Sequence, residues 1–265
     1  MKFKKVPPGE GVVWVRLAFQ TFFRQPFGFA GLFAACALVY LVLFSIPVVG
    51  EALFSLLAPL CLLLFMIATR RGASGERPLP GALSELVAGP RQRLREMLKL
   101  GLVYLVVALC GTLAIAAAEG DSVSAFYETM SAAQPSPEVV LARLTDARLL
   151  FGFLLRLGFG GLLSVMFWHA PGLVWWGAQG WAQSLFFSVV AIWRNKGAFT
   201  VYGLVWIGLG FAVTMVLAVF VAMFGGQRFV AAALFLFFLT VLYVSLWFTF
   251  SGCFEVEAEP EPAAA

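Results

Sequence analysis

Charge is scarce in this chain. Asp, Glu, Lys and Arg make up 12% of its 265 residues, 62% are hydrophobic, and the mean hydropathy is +0.93. A soluble globular domain carries about twice that charged fraction, so water is the wrong solvent for most of these residues. Histidine occurs once, at His169, and the four cysteines, Cys36, Cys61, Cys110 and Cys253, have no metal or redox spacing. The chain also lacks a phosphate-binding Walker loop, a Gly-x-Ser-x-Gly elbow and a His-Glu-x-x-His pair. The sequence therefore nominates no catalytic, cofactor-binding or metal-ligating residue, and the chain reads as not an enzyme. The cysteines, mostly inside apolar runs, read as small packing residues.

Long apolar runs fill the space that charge leaves. Crossing a bilayer takes about 20 consecutive apolar residues. Six runs fit, at roughly 27–47, 52–69, 98–118, within 149–173, 199–224 and 229–250. The predicted class is all-α, a polytopic transmembrane bundle forming one integral membrane domain over residues 1–254. The first apolar run begins too far from Met1 and is too long for a cleaved leader, so none is expected. Residues 255–265, rich in Glu, Pro and Ala, read as an acidic disordered tail.

The net charge of +4 is distributed unevenly. Lys2, Lys4, Lys5, Arg16, Arg24, Arg70, Arg71, Arg77, Arg91, Arg93, Arg95, Lys99, Arg194 and Lys196 fall on one side of the predicted spans. Arg143, Arg148 and Arg228 fall on the other, with Arg156 inside a run. The positive-inside rule places the first side, with both termini, in the cytoplasm of a bacterial inner membrane. The same clustering beside spans argues for anionic headgroups rather than nucleic acid as the basic residues' partner. The far side carries one long loop, 119–147, in which Ser136-Pro137-Glu138 reads as a capped helix start. That helix is expected to run on into the fourth span.

Two charged corners resemble each other. Phe23-Arg24-Gln25-Pro26-Phe27-Gly28-Phe29 and Trp193-Arg194-Asn195-Lys196-Gly197-Ala198-Phe199 share the order aromatic, Arg, amide, two variable residues, small, Phe. Each follows an apolar, aromatic segment and precedes a pair of spans. Arg16, Gln20 and Arg24 recur every four residues, one polar stripe on a helix. Such a helix can lie in the interface with its basic face toward headgroups, before the chain turns into the core. Arg16, Arg24, Arg194 and Lys196 are the candidate headgroup contacts. Arg91, Arg95 and Lys99 repeat the spacing, with Tyr104 in the place of Phe29. Three parallel units follow, 10–69, 79–170 and 171–250, each an amphipathic interfacial helix before a transmembrane hairpin.

The fourth run holds the most unusual residue. Gly152, Arg156, Gly160 and Ser164 are four apart, which makes one small, polar helix face. An ionised residue at membrane depth is costly and marks a functional site. Glu51, at the outer end of the second run, is the candidate partner, so Arg156, Glu51 and Ser164 form the candidate intramembrane polar site. The alternative shifts the span to 157–177 and lets Arg156 snorkel to the outer interface, which removes most of the cost. His169, among Trp168, Trp175, Trp176 and Trp181, reads as part of an interfacial aromatic belt, and Pro171 as a kink or helix restart.

Phe167-Trp168-His169-Ala170-Pro171-Gly172-Leu173, Ser184-Leu185-Phe186-Phe187-Ser188, Trp193-Arg194-Asn195 and Val201-Tyr202-Gly203 resemble the second half of an uncharacterised family of bacterial multi-span inner-membrane proteins. Val6-Pro7, Trp14-Val15 and Phe23-Arg24-Gln25-Pro26 extend the likeness over most of the chain. More loosely, the layout is similar to the membrane domains of some glycerophosphodiester phosphodiesterases, without their soluble catalytic domain. The resemblance implies an inner-membrane location and supplies no substrate or active residue. The expected role is a non-enzymatic scaffold or assembly factor, joined by its own copies or another membrane protein. The alternative is a transporter or lipid-handling protein using the face around Arg156.

Overall fold

The computed structural model describes residues 2–47, 49–131, 136–224 and 228–255, and among these the regular structure is helical apart from one isolated bridge. The chain runs α1 (Glu10–Arg24), α2 (Pro26–Phe44), α3 (Val49–Ala73), α4 (Gly81–Ala88), α5 (Arg91–Glu119) and α6 (Ser122–Ser131). It continues through α7 (Pro137–Leu144), α8 (Ala147–Phe167), α9 (Ala170–Trp175), α10 (Trp181–Arg194), α11 (Lys196–Phe224) and α12 (Arg228–Cys253). Six stretches, in α2, α3, α5, α8 with α9, α11 and α12, are long and apolar enough to cross a membrane, as the sequence predicts.

The element boundaries follow local chemistry. Ser136 caps α7 by accepting the Val139 amide at 3.3 Å, with Pro137 in the first turn. The expectation that this helix continues into the fourth span is corrected: α7 stops at Leu144, and the Asp146 carboxylate accepts the Arg148 amide at 2.8 Å to start α8 afresh. The fourth span is itself broken. α8 ends at Phe167, and α9 restarts with Pro171 in its first turn, where a missing N–H costs nothing. Part of the acidic tail, residues 256–265, and the turn at 225–227 lie outside the described residues.

Packing is concentrated at the end of the bundle that carries most basic residues. The buried residues of α3 lie mainly in its second half, from Leu63 to Gly72, and those of α12 run from Thr240 to Cys253. α1 lies across this end against α11 and α12, with Trp14, Val15, Ala18 and Phe22 turned inward. Gly11 permits the crossing, because a Cβ there would meet the Ala198 carbonyl and the Tyr202 amide nitrogen of α11. α4, α9 and α10 complete the layer. Toward the other end the helices separate. Only 6% of the apolar window of α11 and 11% of that of α2 are buried, against 44% in α3 and α12. Lipid is as apolar as Leu, so burial alone draws spans together weakly, and packing gathers where aromatic and polar groups interlock.

Candidate functional site

The first polar group to place is Asn195, the amide of the second charged corner. It is the C-cap of α10, and α11 begins one residue later. It is 2% exposed and its side chain is fully engaged. Its Oδ1 accepts the Val6 amide at 3.0 Å, and its Nδ2 donates to the Lys4 carbonyl at 3.0 Å, the Ala191 carbonyl at 3.1 Å and Cys253 Sγ at 3.5 Å. The segment it grips also pairs with the end of α12. Lys4 N donates to the Cys253 carbonyl at 2.8 Å, and Glu255 N donates to the Lys2 carbonyl at 3.0 Å. One side chain thus fastens both ends of the described chain to the α10–α11 corner. The first corner is built alike: Gln25 caps α1, α2 starts at Pro26, and Gln25 Nε2 donates to the Glu76 carbonyl at 2.8 Å.

The four candidate headgroup contacts lie outside this clasp. Arg16, Arg24, Arg194 and Lys196 are all exposed. Arg194 sits over the Phe3 ring at 5.5 Å, and Lys196 over the Trp193 ring at 5.5 Å. Arg91, Arg95 and Lys99 differ in placement, because they lie on the first turns of the spanning helix α5 rather than on a separate interfacial helix.

Arg156 has a partner, but not the one expected from sequence. Its Nε donates to Glu119 Oε1 at 2.8 Å and its Nη2 pairs with Glu119 Oε2, a two-pronged ion pair between α8 and the last residue of α5. Glu51 is exposed in the first turn of α3 and is corrected as the partner. Glu119 is the more deeply placed member, 2% exposed against 43% for the Arg156 side chain. Gly152 makes room for it, since a Cβ there would collide with the Glu119 carboxyl. Glu119 follows the apolar stretch of α5, which puts the pair at the end of the bundle away from the basic layer. The sequence contained the signal in Glu119 itself, a carboxylate directly after an apolar run, but spacing could not say that α5 and α8 are neighbours.

Ser164 is exposed and does not reach the pair; it lines a cavity of about 360 Å³ with Gly160, Tyr104, Trp168 and Tyr243. A second cavity, about 560 Å³, shares Leu62, Tyr104 and Tyr243 with the first and includes Cys36 and Cys61. These two cysteines, distant in sequence, line the same cavity from α2 and α3. His169 is not at an interface. It is fully buried, with Phe199, Phe250 and Phe254 around its ring and no partner for either ring nitrogen among the described residues. Its backbone amide donates to Ser188 Oγ at 3.1 Å, and that hydroxyl donates to the Val165 carbonyl at 2.9 Å, which ties the α8–α9 break to α10.

Over 269 aligned positions the chain is 32% identical to a protein of Burkholderia thailandensis described as a probable inner membrane protein, with all of this chain and 97% of the relative covered. No family model matches the chain, and no solved structure matches it.

Proposed function

The chain belongs to the family of the Burkholderia thailandensis inner membrane protein, and from that premise we propose that it is a non-enzymatic scaffold or assembly factor of the bacterial inner membrane. The carrying observation is a contrast within one molecule. The basic end is a packed layer, while α2, α5, α8 and α11 leave most of their apolar surface uncovered. The polar groups that stand out in the sequence hold this layer together: Asn195 clasps the ends of the chain and Ser188 ties α8 to α10. In this reading the basic layer faces the cytoplasm with both termini, and the uncovered spans receive copies of the chain or another membrane protein. The two amide corners support a parallel repeat in which α1 and α10 each introduce a pair of spans, with 79–170 as the middle unit. The looser likeness to phosphodiesterase membrane domains is one of layout and brings no activity.

Extraction in native lipid discs, with mass spectrometry of everything retained, tests the proposal. A stoichiometric protein partner or a second copy is the expected result. A lone monomer in every preparation overturns it.

A second reading has its own observation. Gly160 and Ser164 line a membrane-depth cavity from the same helix face as Arg156, and a cavity on that face favours lipid handling. Arg156→Leu would then change the lipids retained in the discs. Identical lipid content in variant and wild type removes this reading.

A further inference from the structure

A different polar region opens at the basic end, where α3, α4, α5 and α9 meet. A cavity of about 400 Å³ is lined there by Arg70, Glu85, Gly89, Arg93, Trp175 and Trp176 among others. A neighbouring space of about 430 Å³ shares Pro90 and Arg93 and adds Gln92, Glu96 and Gln179. Arg93 therefore stands between two compartments.

The charges around it do not cancel. Glu85 is held by Arg70 at 2.9 Å and by Arg71 at 3.6 Å, and Arg71 also reaches Glu76 at 2.5 Å. Glu96, the other lining carboxylate, accepts Lys99 Nζ at 2.6 Å and the Trp181 amide at 3.1 Å. Arg93 is half-buried and has no acceptor among the described residues. Arg70 lies over the Trp176 ring at 5.6 Å and spends one of its five N–H groups on Glu85. Its remaining donors are held in a fixed plane beside the cavity.

Helix electrostatics sharpen the imbalance. α5 begins with Arg91-Gln92-Arg93, has no acidic residue in its first turn, and its N-cap is Pro90 without a side-chain cap. Positive side chains at the positive end of a helix dipole repel it, and an anion relieves both. A phosphate satisfies the arginines.

We propose that this cavity binds the phosphate of a phosphate ester, with Arg93 and Arg70 as its cations and Trp175 and Trp176 as its wall. The site is separate from the exposed Arg16, Arg24, Arg194 and Lys196 and does not depend on the scaffold reading. The ester is either the headgroup of a phospholipid or a soluble molecule from the aqueous side.

Full-length protein in detergent, titrated with glycerol 3-phosphate by calorimetry and with short-chain phosphatidylglycerol by native mass spectrometry, separates the two sources. Binding of both probes identifies a soluble ester site, and binding of the lipid alone identifies a headgroup site. In either case Arg93→Gln is expected to weaken binding by about tenfold, the loss of one charge-assisted contact, and Arg93→Lys to restore part of it. Arg95→Gln, the same charge change on the same helix but outside both cavities, is the control. The proposal fails if neither probe binds wild type, or if Arg95→Gln weakens binding as much as Arg93→Gln. The first outcome removes the site, and the second reduces it to surface charge. Arg93 makes no bond that the fold uses, so an unchanged unfolding temperature is expected alongside the lost affinity.

Discussion

Asn195→Ala removes an acceptor from the Val6 amide and a donor from the Lys4 and Ala191 carbonyls in a site only 2% exposed. Leaving buried backbone groups unsatisfied costs about 1–3 kcal/mol for each group that water cannot reach. The expected outcome is a loss of about 2–3 kcal/mol, with faster hydrogen exchange at Val6 and at the Lys4–Cys253 pairing. Unchanged exchange there would show that the bridge between Phe3 and Phe254 holds without the amide. Arg156 follows another rule. Arg156→Leu strands the Glu119 carboxylate, and the expected loss is about 2 kcal/mol, below that of a fully buried pair because the arginine is 43% exposed. The double variant Glu119→Leu with Arg156→Leu removes both charges and should recover most of that loss in thermal unfolding. Equal loss in the single and double variants would mean that packing around Gly152 matters more than the charge. The sequence singled out Arg156 because lipid makes an ionised group conspicuous. It could not reveal the partner, since Glu51 and Glu119 both flank apolar runs and only helix neighbourhood decides between them.

At the scale of the element, hydropathy located all six spans because the bilayer imposes length and composition together. It was less informative where backbone chemistry sets the limit. The separate start of α8 depends on the Asp146 cap, and the break at Trp168-His169 between α8 and α9 is marked only by Pro171, which the sequence reads as a kink or restart. Composition points His169 to an interface for a related reason: a Trp-rich stretch has the composition of an aromatic belt, while its burial comes from α10, α11 and α12 folding over it. The amphipathic helices were legible because their polar stripe keeps helical spacing. Trp14, Val15, Ala18 and Phe22 are buried on α1 while Arg16, Gln20 and Arg24 are exposed. Replacing Arg16, Arg24, Arg194 and Lys196 together by Gln should weaken association with anionic lipid, by roughly 1 kcal/mol per charge near the surface. Retention of phosphatidylglycerol against phosphatidylcholine, measured at low and high salt, checks this. Equal retention and an unchanged salt response would leave these residues as ordinary solvated charges.

The whole molecule joins a packed basic layer to spans that separate as they leave it, and the meaning of that shape depends on what covers the spans. Leu204, Ile207, Phe211 and Met215 lie three or four residues apart on α11 and are 52–70% exposed. If lipid covers this stripe, the pair Ile207→Ala and Phe211→Ala exchanges one apolar surface for a smaller one in an apolar solvent, with little effect on stability or assembly. If another polypeptide covers it, the same pair removes van der Waals contacts that draw spans together, and these are a main source of association where the hydrophobic effect is absent. The scaffold reading therefore predicts that the double variant keeps its unfolding temperature but loses its partner or its second copy in native discs. Retention of the full complement would move the contact surface to α2 or α5, which also face outward. Loss of folding instead of partner would mean that Ile207 and Phe211 help hold α11 within the monomer, beyond its crossing with α1 and the Tyr202–Ser245 hydrogen bond to α12.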